Sequence, residues 1–131
     1  MNEVYEFLKK CGTYYLATVE NDQARVRPFG TIDIFDGVLT IQTGKIKEVS
    51  RQIHQNPKVE ICAFDGQQWL RLAASAVEDP RTEAQAHMLE GYPELKAMYQ
   101  PGDGNTEIFK LTNVKAIFSS FTSAPRTIEW K

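Results

Sequence analysis

The dipeptide Asp36-Gly37 lies between two segments, Arg25–Phe35 and Val38–Thr43, that are rich in β-branched and aromatic residues. Asp-Gly is favoured in two-residue hairpins, because both central residues of a type I′ turn need positive φ. Just before the dipeptide, two isoleucines alternate with an aspartate, which is typical of a strand with one buried face. The pattern predicts an antiparallel hairpin and favours a β-rich fold.

Similar segments recur along the chain and predict about seven strands. They are Tyr14–Val19, Arg25–Phe35, Val38–Thr43, Lys58–Phe64, Trp69–Val77, Thr106–Leu111 and Val114–Phe121. Apolar residues at helical spacing and helix-ending residues predict short helices over Asn2–Lys10, Lys45–Gln55, Pro80–Glu90 and Pro93–Tyr99. We expect the second of these to bury Ile46, Val49 and Ile53. Many short strands with few helices favour a mainly β (α+β) barrel or sandwich over a doubly wound sheet.

Length and composition limit the function classes. The 131 residues, of which 42% are hydrophobic and 24% charged, predict one globular domain spanning 1–131. A net charge of −2 and a pI near 5.7 argue against a large nucleic-acid footprint. No apolar run is long enough for a membrane span and no secretory signal is recognisable, so we expect a cytoplasmic protein that binds no membrane. In a reducing cytoplasm, Cys11 and Cys62 are expected to be free thiols.

The first candidate site is the segment RVRPFG at residues 25–30. Arg25 and Arg27 are two residues apart, so both lie on one face of a strand. Pro28 cannot donate a ladder hydrogen bond, and Gly30 allows close approach of a ligand. An interrupted strand beside two guanidinium groups suits a planar anionic ligand. The alternative is an edge strand with a bulge and two solvated arginines.

The second candidate site follows the hairpin, where a strand ends at Thr43-Gly44 and a helix is predicted to begin. Lys45, Lys47 and Arg51 lie near that start. The first N–H groups of a helix lack partners and favour anions, so cations and a hydroxyl here would complete a phosphate site. The alternative is a solvated helix face. Because the predicted hairpin brings this segment beside RVRPFG, the two together favour a phosphate-bearing ligand.

Other constellations are weaker. Trp69 could stack on a ring or cover a subunit interface, or it could be an ordinary core residue. His54 and His87 have no second ligand at metal spacing, so no metal site is predicted. Neither cysteine forms a CxxC pair, and no nucleophile motif occurs. If the chain is an enzyme, a cofactor must supply the chemistry.

With these motifs in order, the sequence resembles the pyridoxamine 5′-phosphate oxidase-like FMN-binding split β-barrels. The similarity rests on FLKKCGTYYLAT near the start, RVRPFG, the segment from Thr40 to Pro57, WLRL at 69–72, and the late EIFKL and FSSFTSAPRTIEW. The resemblance implies a split barrel of about six strands. It also implies a homodimer that holds two FMN molecules in the clefts between its subunits.

By this resemblance, Thr43, Lys45 and Lys47 hold the FMN phosphate, and the RVRPFG strand lies along the isoalloxazine ring. The expected cofactor-binding residues are Arg25, Arg27, Pro28, Phe29, Gly30, Gln42, Thr43, Lys45, Lys47 and Trp69. Trp69 and the tail with Trp130 are candidates to reach in from the other subunit. Members that oxidise pyridoxamine phosphate have a longer C-terminal segment with an arginine–histidine pair. This chain stops at Glu129-Trp130-Lys131, so we do not expect that activity.

The leading hypothesis is an FMN-dependent oxidoreductase that passes a hydride or electrons to or from a small organic substrate. In it, Arg27 would stabilise the charge that reduction places near N1 and O2 of the flavin. The alternative is a flavin, deazaflavin or haem carrier or sensor without turnover, which the lack of a catalytic side chain favours.

Overall fold

The computed structural model describes all 131 residues. Its α-helices are α1 (Asn2–Cys11), α2 (Glu48–Gln55) and α3 (Thr82–Glu90), and a 3₁₀ helix spans Pro93–Ala97. Its strands are β1 (Tyr14–Glu20), β2 (Gln23–Phe29), β3 (Asp33–Phe35), β4 (Val38–Gly44), β5 (Lys58–Phe64), β6 (Gln68–Asp79), β7 (Thr106–Ser120) and β8 (Arg126–Trp130).

The eight strands form one antiparallel sheet in the order β2-β1-β5-β6-β7-β4-β3, with β8 paired to β7. The sheet is open, and its two end strands are β2 and β3. This arrangement confirms the predicted antiparallel split-barrel class. No helix has the length and apolarity that crossing a bilayer requires.

The predicted turn at Asp36-Gly37 is confirmed, since these residues have φ of 52° and 72°. The predicted partner of β4 is wrong in part. Arg25–Phe35 is not one strand but two, β2 and β3, with residues 30–32 between them. Only β3 forms the hairpin with β4, whereas β2 pairs with β1 at the other end of the sheet. The break follows Pro28, which lacks an N–H, and begins at Gly30.

The C-terminal third differs from the prediction in two ways. Thr112-Asn113 does not turn the chain, and residues 106–120 form one long strand. Asn113 has φ of 52°, and the pairing register with β6 shifts between Ala73 and Ser75. An irregularity of this kind bends a strand without ending it. The tail, to which no element was assigned, adds β8 and places Trp130 against the chain's own core.

Helix α2 begins three residues later than predicted, because residues 44–47 form a turn before it. Val49 and Ile53 are buried as expected, but Ile46 lies in that turn and is 87% exposed. The α2 side chains pack onto the main core, whose largest members include Leu16, Ile41, Ile61, Leu72 and Phe109. Helix α2 therefore covers the sheet, while Ile46 in the turn before it faces outward.

Candidate functional site

A cavity of about 350 Å³ lies where the end of β2 approaches the end of β4 and the first turn of α2. Its fourth side is the segment from Tyr92 to Tyr99. The lining residues are Arg27, Pro28, Phe29, Gly30, Thr31, Gln42, Thr43, Lys47, Val49, Tyr92, Glu94, Leu95, Met98 and Tyr99. The volume is within the range of small-molecule sites.

The wall formed by β2 is tied to the core. Arg27 Nη1 donates to the Leu16 carbonyl at 3.1 Å and to the Thr18 hydroxyl at 2.8 Å. Its Nη2 donates to Gln52 Oε1 at 2.6 Å, so the guanidinium links β1, β2 and α2. Burial, and then the nearby charge of Arg25, lowers the pKa of Arg27. An arginine stays charged even so, and Arg27 therefore provides a fixed positive charge behind the wall.

Thr31, just after β2, joins this wall to β4. Its backbone carbonyl accepts a 2.5 Å hydrogen bond from Tyr14, and its hydroxyl contacts the backbone N and O of Gln42 at 3.1 and 3.3 Å. These contacts bring the ends of β2 and β4 together although the strands are not paired. The two predicted basic segments are thus spatial neighbours, but through the contacts of Thr31 with Gln42 rather than through a hairpin.

The opposite end of the cavity has polar groups without protein partners. Lys47 occupies the N-cap position of α2, lines the cavity and forms no ion pair. The Thr43 hydroxyl forms no hydrogen bond to the protein. The first turn of α2 adds the partial positive charge of unpaired N–H groups. Together these groups make an anion-binding end.

A polar loop holds this end in place. The carbonyl of Asn105 accepts a hydrogen bond from Lys45 N at 2.7 Å, and its side-chain oxygen accepts one from Ile46 N at 3.2 Å. Asp103 in turn accepts backbone hydrogen bonds from Thr106, Gln100 and Asn105, which lower the pKa of its carboxyl. The turn before α2 is therefore fixed from outside the cavity.

Two tyrosines on the fourth side differ in how their hydroxyls are used. Tyr92 accepts a hydrogen bond from Ile32 N at 2.9 Å and donates to the Ile32 carbonyl at 3.2 Å. Tyr99 is only 8% exposed and forms no side-chain hydrogen bond to the protein. Its hydroxyl lies 3.1 Å from where a Cβ on Gly44 would stand, next to the anion-binding end. The Tyr99 hydroxyl is therefore available to a ligand in the cavity.

Of the ten predicted cofactor-binding residues, the structure brings seven to the cavity. They are Arg27, Pro28, Phe29, Gly30, Gln42, Thr43 and Lys47. The other three do not line it in this chain: Arg25 pairs with Glu20, Lys45 with Glu78, and Trp69 packs against Phe64 and Phe121. Arg51 is also engaged elsewhere, with Glu20 and Glu48.

The sequence reasoning missed the segment from Tyr92 to Tyr99. Its only local signal was Pro93 at the start of a short helix. Nothing in the pattern of that helix indicates which part of the sheet it covers, because its contacts are with residues far away in sequence. The Tyr92–Ile32 hydrogen bonds show where it docks.

The sequence model of the pyridoxamine 5′-phosphate oxidase family matches residues 1–119. The chain belongs to that family. It is also similar to the crystal structure of a NimC/NimA family protein from Clostridium acetobutylicum, with a TM-score of 0.95 and 40% identity. That alignment covers 98% of this chain and 91% of the other.

More distant solved structures share the fold. A pyridoxamine 5′-phosphate oxidase-related, FMN-binding protein from Nostoc punctiforme has a TM-score of 0.62 and 15% identity, over 97% of this chain and 91% of that one. A haem-binding protein from Mycobacterium smegmatis has a TM-score of 0.67 and 12% identity, over 93% of this chain and 57% of that one. No curated protein matches the chain.

Proposed function

We propose that this protein binds FMN in the cavity between β2, β4 and α2. The observation that carries the proposal is the polarity of the cavity. One end has a lysine, a threonine and a tyrosine whose polar atoms have no protein partner. The other end is a wall whose arginine is already bound by the protein. A ligand with a phosphate at one end and a ring system at the other matches both ends.

The residues fit that ligand group by group. Lys47, Thr43 and the start of α2 would hold the phosphate, since cations and helix N-termini both favour anions. The β2 wall from Pro28 to Gly30 would lie along the ring, where the missing side chain of Gly30 leaves room. When bound, FMN supplies hydride and electron transfer, and the protein positions it and tunes its surroundings.

The fixed charge of Arg27 stands behind the ring wall and would stabilise negative charge on that side. Its position is rigid, because three hydrogen bonds hold the guanidinium.

The structural relatives include one protein that supports FMN as the ligand and one that points to haem as an alternative. The Nostoc protein is described as FMN-binding and the Mycobacterium protein as haem-binding. Haem iron in proteins is held by histidine, cysteine, methionine or tyrosine. This cavity offers a methionine and two tyrosines but no histidine or cysteine, whereas its unpaired lysine suits a phosphate. FMN is therefore the better match.

The direct test is to purify the protein and record its absorbance, then to titrate FMN into the apoprotein. We expect the flavin bands of a yellow protein, or saturable binding of one FMN per chain. A Soret band would indicate haem, and a deazaflavin would be recognised by its own spectrum. A colourless protein that binds no added FMN would contradict the proposal.

We further propose that the bound flavin serves an oxidoreductase for a small organic substrate. The expected result is steady oxidation of a reduced nicotinamide with a quinone or nitroaromatic acceptor. The competing function is a flavin carrier or sensor. A specific observation favours it, since Glu94 is the only carboxylate in the lining and no histidine or cysteine accompanies it. FMN binding without turnover over a panel of donors and acceptors would select the carrier.

A homodimer is the third part of the proposal. The outer face of β1, β2 and β5 exposes large apolar side chains, since Tyr15, Val26 and Phe64 are all more than half exposed. Val26 lies two residues before Pro28, so this face is continuous with the cavity wall. Exposed apolar patches of this kind mark interfaces. A second copy on this face would place the cavity at the edge of the interface, as the resemblance implies.

The dimer is tested by light scattering on wild type and Val26→Glu. We expect twice the chain mass for wild type and a shift towards the monomer for the variant, because a charge would be buried. The matched control is Val77→Glu on β6, a half-exposed valine outside this face, which should leave the mass unchanged. A monomeric wild-type protein would refute the dimer.

A further inference from the structure

Three side chains that are distant in sequence converge beside the last turn of α2. They are His54 on α2, Glu78 on β6 and Glu107 on β7, and their ligand atoms all lie within 4.8 Å of one another. His54 Nε2 is 2.7 Å from Glu107 Oε2 and 3.8 Å from Glu78 Oε1. The spacing of these residues in the sequence does not indicate the cluster, because Glu78 and Glu107 come close only when β6 and β7 pair in the sheet.

Each carboxylate uses its two oxygens differently. Glu107 Oε1 accepts a 2.5 Å hydrogen bond from the Ser50 hydroxyl, while Oε2 faces the imidazole. Glu78 Oε2 lies 3.5 Å from Lys45 Nζ, while Oε1 faces the imidazole. In each carboxylate, one oxygen is held by a neighbouring side chain and the other faces the imidazole. Carboxylates that bind a metal ion are usually held by neighbours in this way.

Burial makes a cation at this point favourable. Glu107 is 1% exposed, and a buried carboxylate is costly unless it is paired with a cation. Glu78 brings a second negative charge to the same place. His54 is half exposed, so solvent reaches the cluster from the side of this residue. Its ring packs on Phe109, with ring centroids 5.5 Å apart, which holds the imidazole in place.

We propose that His54, Glu78 and Glu107 bind one divalent transition-metal ion of the Zn²⁺ or Mn²⁺ type. One imidazole nitrogen and two carboxylate oxygens suit these ions. Ligands about 2.1 Å from a tetrahedral ion stand roughly 3.4 Å apart. His54 Nε2 lies 2.7 Å from one carboxylate oxygen and 3.8 Å from the other, on either side of that value, and all three ligand atoms are within 4.8 Å of one another, so side-chain adjustments would complete the site. Three protein ligands leave at least one position open for water.

The site is independent of the proposed flavin site, since none of its three residues lines that cavity. Its test is a calorimetric titration of ZnCl₂, and separately of MnCl₂, into EDTA-treated and dialysed protein. We expect one ion per chain for at least one of the two metals. His54→Ala and Glu78→Gln should each weaken binding at least about tenfold, and Ser50→Ala by roughly tenfold through loss of the outer hydrogen bond.

The matched control is His87→Ala. His87 Nδ1 lies 2.6 Å from Asp33 Oδ2 but has no second carboxylate beside it, so its loss should leave metal affinity unchanged. Thermal unfolding gives a second readout, because an ion that binds only the folded state raises Tm. The rise should appear in wild type and His87→Ala and be absent in His54→Ala.

Absence of saturable binding of either ion would overturn the proposal and leave the cluster as a hydrogen-bonded histidine–glutamate group. Binding that persists in both His54→Ala and Glu78→Gln, or that His87→Ala also abolishes, would overturn it too. FMN binding is measured separately on the same proteins, so the two proposals fail independently.

Discussion

Arg27 and Lys47 both line the same cavity, yet the protein treats them differently. Arg27 is bound to Leu16, Thr18 and Gln52, and it belongs as much to the core as to the cavity. Lys47 has no partner, and the same is true of the side-chain hydroxyl of Tyr99. The contrast separates residues that build the site from residues left for a ligand. We therefore expect substitutions in the β2 wall, where Arg27 lies, to change stability. Substitutions at the anion-binding end, where Lys47 lies, should change the affinity for the ligand.

The largest expected effect is that of Arg27→Ala on folding. Its loss removes three hydrogen bonds from a charged donor, while Gln52 keeps its bond from Thr18, so we expect the free energy of unfolding to fall by about 3 kcal/mol. Arg25→Ala is the control, since Arg25 is exposed and pairs only with Glu20. That variant should lose no more than about 0.5 kcal/mol. Urea unfolding measures the loss of stability in both variants. Equal losses would show that Arg27 contributes no more to stability than Arg25.

Next in size is the effect of Lys47→Ala on FMN affinity. Removing a charged donor to a phosphate costs about 1.5–3 kcal/mol, which is roughly a 10- to 100-fold weaker Kd. Lys45→Ala should cost clearly less, because Lys45 faces Glu78 instead of the cavity. Fluorescence titration of FMN compares the two variants. A larger loss for Lys45 would reverse the assignment of the phosphate ligand.

The two tyrosines sharpen the comparison within one segment. Tyr99→Phe should weaken FMN binding by about fivefold while leaving apoprotein Tm unchanged, because its hydroxyl has no protein partner. Tyr92→Phe should instead lower apoprotein Tm, since it loses two hydrogen bonds to Ile32. Riboflavin binding reports on the phosphate contact, and Tyr99→Phe should leave it unaffected. A Tyr99→Phe variant with the same loss for both ligands would place the hydroxyl elsewhere.

The smallest expected effect is a loss of stability at acidic pH. Backbone N–H groups that donate to Asp103 lower the pKa of its carboxyl in the folded protein, and the N–H of Thr106 has the largest effect. Its carboxylate therefore contributes stability at pH above the unfolded value of about 4, and this contribution is lost as pH falls further. The Tm difference between wild type and Asp103→Asn should be present at pH 7 and shrink by pH 3. Asp22→Asn, in the exposed turn before β2, is the matched control, because the Asp22 carboxylate accepts no hydrogen bond in the protein.

Local patterns predicted the elements well, because turn chemistry acts over a few residues. Asp36-Gly37 has the positive φ values that its sequence requires, and α2 ends at Gln55 as predicted. Patterns failed where distant contacts decide the outcome. Asn113 resembles a turn residue, but pairing with β6 on both sides of it keeps β7 continuous. Ile46 fits a helical stripe, but Asn105 holds it in a turn.

The candidate site shows the same division. Residues on the strand RVRPFG and around Thr43 could be named from sequence, because each segment carries its own chemical signal. Which of the basic residues face the cavity could not, since Arg25, Lys45 and Arg51 are turned away by acidic partners from other elements. The wall from Tyr92 to Tyr99 and the cluster around Glu107 depend wholly on tertiary contacts.

The central claim is that the cavity holds a flavin by its phosphate at the Lys47 end. The most direct measurement is the affinity of the wild-type apoprotein for FMN and for riboflavin, which differ only in that phosphate. We predict one FMN per chain and at least about tenfold weaker binding of riboflavin, in line with the loss of a charge-assisted contact. Equal affinity for the two ligands, or no binding of FMN, would contradict it.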